Sequence, residues 1–177
     1  MALTAIDGSG ADGTGAMVLK IRPGRSADAA AATDLLNAII QAGGTTAIHS
    51  PLSRDEMLKW FLTGPDIYCC HVAEQDGEFV GFQTAGRYGE LPDGWGDMAT
   101  FVAQGMAQQG IGSALFEATL AQAQKLGLTH LKATIRADNI GGLAYYTRMN
   151  FRDYHVDRAV PLADGTPMDR ISKKRAI

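Results

Sequence analysis

The stretch of this 177-residue chain most able to do chemistry is Gln108-Gln109-Gly110-Ile111-Gly112-Ser113-Ala114-Leu115, two glycines one residue apart that run into a helix-favouring segment. Glycines there let the main chain approach a ligand with no Cβ in the way. Consecutive N–H groups at a helix start, with the positive end of the helix dipole, then hold an anion, and Ser113 adds a hydroxyl. Phosphate binding is the implied chemistry, and three ligand classes use such loops: nucleoside triphosphates, dinucleotides and coenzyme A. A plain strand-to-helix turn explains the same tripeptide almost as well.

The first two classes fail residue by residue. Gly105-Met-Ala-Gln-Gln-Gly110 supplies the two glycines of a triphosphate loop. Ile111 stands where that loop needs a lysine and Gly112 where it needs a Mg²⁺-binding hydroxyl. A dinucleotide loop needs a third glycine for close helix packing, and Leu115 occupies that place. The loop also comes late in the chain, leaving too little sequence for the second half of a doubly wound fold. Coenzyme A remains, and a second, independent match is required.

The surrounding elements must position this loop. With 46% hydrophobic residues the chain fits one compact domain, residues 17–177, preceded by a flexible tail, residues 1–16. A net charge of -3 carries no basic footprint, so nucleic acid is not an expected partner. The opening MALTAIDGSGADGTGA has neither the basic start nor the apolar core of a signal peptide, and no apolar run reaches the roughly 18 residues of a membrane span. The two cysteines, Cys69 and Cys70, are adjacent in a strand-like run and would face opposite ways, so a disulfide is not expected. No Cys/His spacing suggests a metal. A reducing cytoplasm is the expected location.

Met17 to Arg22 alternates as a first strand, and Ala29 to Ala42 has helical periodicity ending at Gly43-Gly44. Ser53 with Glu56 three residues on has the capping-box form at the head of a second helix, closed by Gly64-Pro65. Ile67–Glu74 and Phe79–Tyr88 flank Asp76-Gly77 as a hairpin. Asp97–Ala103 reads as a third strand of that meander, followed by a helix over Ile111–Leu126 and a strand at 130–137 with Leu131, Ala133 and Ile135 on one face. Asn139 is placed to cap a helix through Met149, Asn150 to take the left-handed conformation after it, and the remaining residues to form a last hairpin.

The second match lies in that last helix. Asn139-Ile-Gly-Gly-Leu-Ala-Tyr-Tyr-Thr-Arg-Met-Asn-Phe151, together with Ala107-Gln-Gln-Gly110-Ile-Gly112, resembles the two cofactor motifs of the GNAT superfamily of N-acetyltransferases. The spacing between them and the element order fit as well, so the resemblance covers nearly everything after the tail. It implies an α/β (α+β) fold: a mixed, mostly antiparallel sheet of six to seven strands with about four helices, splayed at the cofactor groove. It implies that acetyl-CoA is the co-substrate, its pyrophosphate held by main-chain N–H groups of Gln108, Gln109, Gly110, Ile111, Gly112 and Ser113. The pantetheine arm would lie along Phe101, Val102 and Ala103 and meet Asn139. Ala107 departs from the usual glutamine or arginine, which removes one side-chain contact and leaves the backbone donors.

By the same resemblance Tyr146 faces the thioester sulfur. A tyrosine with its ordinary pKa of about 10 suits protonation of a thiolate whose acid has a pKa of about 8.5, so Tyr146 is the candidate general acid. Tyr145, about 100° away on the helix, is assigned to packing. The amine must first lose a proton. Asp97 stands where phosphinothricin-type members carry a glutamate, and its shorter side chain would work through water; Glu90 is a second candidate base. Arg136, Lys132 and Arg148 are candidates for a peripheral CoA phosphate. The segment Ala42–Phe61 resembles the acceptor wall of amino-acid N-acetyltransferases, which directs attention to a small primary amine. The alternative is a non-catalytic acyl-CoA-sensing domain of the same fold, and a homodimer is admitted by analogy with the family.

Overall fold

The computed structural model describes residues 17–106 and 109–177; the tail 1–16 and the candidate residues Ala107 and Gln108 lie outside the described residues. The first strand, β1 (Leu19–Pro23), leads through a 3-10 turn at Ser26–Asp28 into α1 (Ala29–Ala42). A buried ion cluster ties this start to the sheet. The Arg22 guanidinium grips both oxygens of Asp28 at 2.8 and 2.7 Å and reaches Glu74 at 2.9 Å, while the Arg25 N–H donates to Asp28 at 2.7 Å. That grip holds the Asp28 carboxyl below its ordinary pKa.

The capping box forms as expected: the Glu56 N–H donates to Ser53 Oγ and the Ser53 N–H to Glu56 Oε2. It opens α2 (Arg54–Met57), whose next turn, Leu58–Leu62, widens into a π-helix closed by the Thr63 N–H on the Leu58 carbonyl at 2.9 Å. Such widening needs a sharp exit, and a Cβ on Gly64 would lie 1.7 Å from the Lys59 oxygen. The hairpin of β2 (Ile67–Gln75) and β3 (Glu78–Gly86) turns through Asp76 (φ 52) and Gly77 (φ 88), the left-handed pair that matches strand twist. Then come β4 (Trp95–Val102), α3 (Ile111–Lys125), β5 (His130–Arg136), α4 (Ile140–Arg148), β6 (Arg152–Pro161) and β7 (Pro167–Ala176). Asn150 takes φ 63 beyond α4, as its position predicts.

These strands form one seven-stranded sheet in the order β1-β2-β3-β4-β5-β7-β6. Every neighbouring pair is antiparallel except β4 and β5. On one face α1 and α2 bury Leu36, Met57 and Phe61 against Val72, Phe82 and Phe101. On the other, α3 and α4 bury Phe116 and Tyr146 against Met98, Leu131, Ala133 and Ile135. Cys69 and Cys70 do face opposite ways, one into each core, and are free thiols. Among the described residues no helix is long and apolar enough to cross a membrane.

The parallel pair is short. Only Trp95, Gly96 and Asp97 pair with His130, Leu131 and Lys132. Beyond Asp97, β4 stays with β3 as far as Val102 and β5 stays with β7 as far as Arg136, and the two strands part. A V opens in the middle of the sheet, with α3 and α4 at its mouth.

The folded Asp28 carboxyl lies below the ordinary aspartate value of 3.8, so its contribution to stability is complete above that value and is lost as pH falls through the folded one. Asp28→Asn is therefore expected to be less stable at neutral pH and to show a flatter decline in acid, read as the urea midpoint against pH from about 6 to about 2.5.

Candidate active site

A groove of ≈ 990 Å³ runs from the N-terminus of α3 through the V to the loop that follows α1. Its walls include Phe101 and Val102 from β4, Ala103 just beyond it, and Gly110, Ile111, Gly112 and Ser113 from the glycine loop. Asn139, Tyr145, Tyr146 and Arg148 complete it from the α4 side. The motif residues read from sequence are thus gathered around one space. Gln109 is exposed and is not among the lining residues, and Glu90 is exposed outside the groove.

The two glycines have different reasons. Gly110 caps α3 in the left-handed region (φ 80), where a side chain would be strained, and no side chain caps the helix. The first helical bond runs from the Ala114 N–H to the Gly110 carbonyl, so the N–H groups of Ile111, Gly112 and Ser113 have no acceptor within the helix. Gly112 has a packing reason of its own. A Cβ there would lie 2.9 Å from Cε2 of Tyr145, whose ring is packed onto that turn and whose hydroxyl donates to the Gly112 carbonyl at 2.8 Å.

The expectation that Tyr145 and Tyr146 point apart is not met at their hydroxyls. The rings sit 4.9 Å apart edge to face, the Tyr145 phenol meets Gln83 of β3, the Tyr146 phenol meets Thr100 of β4, and Gln83 and Thr100 are themselves bonded at 2.8 Å. Long side chains on adjacent helical positions can converge at their tips although their Cβ atoms diverge. Tyr146 is the more buried of the two and packs on Phe151 at 5.2 Å. Its phenol is far from ordinary: burial, with Tyr145 alongside, pushes its pKa well above 10.

Asp97 occupies the apex of the V. Its carboxylate accepts from Lys132 Nζ at 2.9 Å across the last paired position, and both side chains are mostly covered. Burial raises the Asp97 pKa and Lys132 opposes the rise. Asp97 is not among the groove-lining residues, and none of the lining residues is acidic. Lys132 is committed to this pair, and Arg136 to Asp138 and to the Thr46 carbonyl. Arg148 lines the groove with no ion-pair partner among the described residues.

Asn139 caps α4 as expected, its Oδ1 accepting from the Gly142 N–H at 2.8 Å. The other end of its amide donates to the Thr45 carbonyl at 2.8 Å, so one side chain joins the α4 cap to the loop after α1. Gly142 permits this, since a Cβ there would meet Asn139 Nδ2 at 2.7 Å. Gln83 and Thr100 were not singled out from sequence. Their signal is a polar residue at an inward position of a central strand, in FVGFQTAG and in DMATFVA.

Gly112→Ala is expected to cost about 1–3 kcal/mol by overpacking against Tyr145. In a Tyr145→Leu background the same change should cost less. Urea unfolding of the four chains measures the coupling, and additive losses would contradict the contact.

Comparison with known proteins agrees with this geometry. The family model described as the acetyltransferase (GNAT) family matches residues 33–151. A phosphinothricin acetyltransferase from Sinorhizobium meliloti, solved with acetyl-CoA, is 19% identical with a TM-score of 0.80, covering 90% of this chain and 88% of its own. A ribosomal-protein-alanine N-acetyltransferase from Brucella melitensis is 19% identical with a TM-score of 0.78, covering 89% and 99%. YncA from Salmonella typhimurium, solved with acetyl-CoA as its cofactor, is 18% identical with a TM-score of 0.76, covering 89% and 93%. At these identities the likeness speaks for the fold. No curated protein matches the chain by sequence. The family model spans most of the chain, both sequence motifs and the whole splayed region, and this chain therefore belongs to the acetyltransferase (GNAT) family.

Proposed function

We propose that the enzyme moves the acetyl group directly to the primary amine of a small, amino-acid-like acceptor, with donor and acceptor bound together in the groove. One observation carries this reading: a single space joins the uncapped start of α3, the parted edges of β4 and β5, and the Tyr146 phenol. The residues present fit acetyl-CoA. The N–H groups of Ile111, Gly112 and Ser113 suit a pyrophosphate, and the unpaired edge of β4 at Phe101 and Val102, with Ala103 just beyond it, suits an amide-bearing arm. Arg148 suits a peripheral phosphate. Asn139 could meet the arm through the remaining lone pair of Oδ1, or by exchanging Thr45 for it. Ala107, Gln108 and Gln109 belong to the same proposed loop. The loop after α1, with Thr45, Thr46 and Ile48 in the wall, would face the acceptor.

Acetyl-CoA supplies an activated thioester carbonyl. The amine nitrogen forms a bond to that carbon, the carbon–sulfur bond breaks with its electron pair on sulfur, and Tyr146 donates the proton that makes the free thiol. A main-chain N–H of β4 near Phe101 or Val102 would stabilise the charge on the carbonyl oxygen. Asp97 accepts the proton lost by the amine through water, because no carboxylate reaches the groove directly. Burial makes it a stronger base than a solvated aspartate. Lys132, 2.9 Å away, favours its ionised form. The reduced cysteines fit a cytoplasmic location, which belongs to the same proposal.

Thiol release from acetyl-CoA, followed across amino acids and small amines, tests the activity. Saturable cofactor binding with no acceptor-dependent release on any amine would favour the sensing domain instead. With the best acceptor, Tyr146→Phe should lower kcat by about 10²–10⁴, the usual worth of a positioned acid. Asp97 has a raised pKa and acts as its anion, so kcat should fall as pH drops, with a midpoint above 3.8. Asp97→Asn should lower the plateau and remove that limb. An unchanged acid limb in this variant would exclude Asp97 as the base.

A further inference from the structure

Behind the two tyrosines lies a chain of polar contacts that the catalytic scheme does not use. Gln83 is fully buried, and its Nε2 lies 3.0 Å from Tyr145 Oη and 2.8 Å from Thr100 Oγ1. Tyr145 Oη lies 2.8 Å from the Gly112 carbonyl, and Thr100 Oγ1 lies 3.1 Å from Tyr146 Oη. Main-chain carbonyls only accept, and a phenol has one proton. Tyr145 must therefore spend its proton on Gly112, so its oxygen can only accept from Gln83. The second proton of the Gln83 amide then falls on Thr100. With that lone pair occupied and Tyr145 already accepting from Gln83, the Thr100 proton is left for Tyr146 Oη at 3.1 Å.

We infer that Gln83 and Thr100 are positioning residues for Tyr146, fixing the direction of a hydrogen-bond chain from the Gly112 carbonyl so that Thr100 donates to the phenol and the Tyr146 proton is left for the groove. This rests on the reading of Tyr146 as the acid. Both Thr100 and Tyr146 line the groove, so the proton has a space to point into. As Tyr146 passes its proton to the departing sulfur, the Thr100 O–H is already aimed at the developing phenolate, offsetting the burial that resists its formation. Tyr146 regains a proton from water before the next turnover, so the chain consumes nothing. Among the described residues the buried Gln83 Oε1 atom has no hydrogen-bond partner, as expected of an amide held for its donors.

The test compares Thr100→Val, Thr100→Ser, Tyr146→Phe and the Thr100→Val/Tyr146→Phe pair on one amine, with kcat and the KM for acetyl-CoA measured separately. Thr100→Val should lower kcat about tenfold, the worth of one hydrogen bond to a charged group, with KM little changed. Thr100→Ser, which keeps the hydroxyl, should recover most of the rate. In the Tyr146→Phe background Thr100→Val should have no further effect. Should Thr100→Val not fold, Gln83→Met, which keeps the bulk and removes both donors, should lower kcat at unchanged KM. Full kcat in either folded variant, beside an impaired Tyr146→Phe, overturns the positioning role and leaves the acid assignment intact. Undiminished turnover in Tyr146→Phe overturns both.

Discussion

The structure depends on one interruption. Parallel pairing of β4 with β5 stops after Asp97 and Lys132, while each strand keeps its other neighbour. Main-chain N–H and C=O groups on the inner edges of the V have no strand to satisfy them, and unsatisfied main-chain groups are costly unless water or a ligand supplies partners. The opening leaves those groups to water or to a bound ligand. The Asp97–Lys132 ion pair sits at the point of divergence, with its charges partly withdrawn from water. In that place it fastens the apex, next to Met98 of the groove wall but outside the lining itself.

A second constraint follows from the first. The mouth of the V must be closed by helices whose side chains reach into it, and α4 supplies Tyr145 and Tyr146 from adjacent positions. Tyr145 is tied to the α3 turn through the Gly112 carbonyl, and Tyr146 to β4 through Thr100. The glycine loop, the central strands and the candidate acid are therefore one hydrogen-bonded assembly. The turn at Gly112 and the two phenols are thereby linked. Asn139 extends the same connection to the loop after α1.

Much of this was legible from residues. Helix α1 has the bounds its periodicity predicts, the Ser53–Glu56 box caps as its spacing requires, and Asp76-Gly77 and Asn150 take the left-handed conformations expected of them. These are local effects, decided by neighbours within a few residues. Strand β4 starts at Trp95, two residues before the sequence suggests. The reason is the Trp95 ring stacked 4.6 Å from His130, a partner far along the chain and hidden in a segment rich in Gly, Pro and Asp. The crowding at Gly112 was hidden for the same reason. Its crowding neighbour, Tyr145, lies one strand and one helix away.

From the order of residues alone came the element types, their sequence along the chain, the left-handed turns and the motif pair that marks the cofactor loop and α4. Each depends on short-range periodicity or on a backbone conformation that few residues accept. Only tertiary structure decided where the parallel pair ends, that Asp97 meets Lys132 there, and that two tyrosines converge on Gln83 and Thr100. Those facts depend on distances between side chains brought from separate strands and helices.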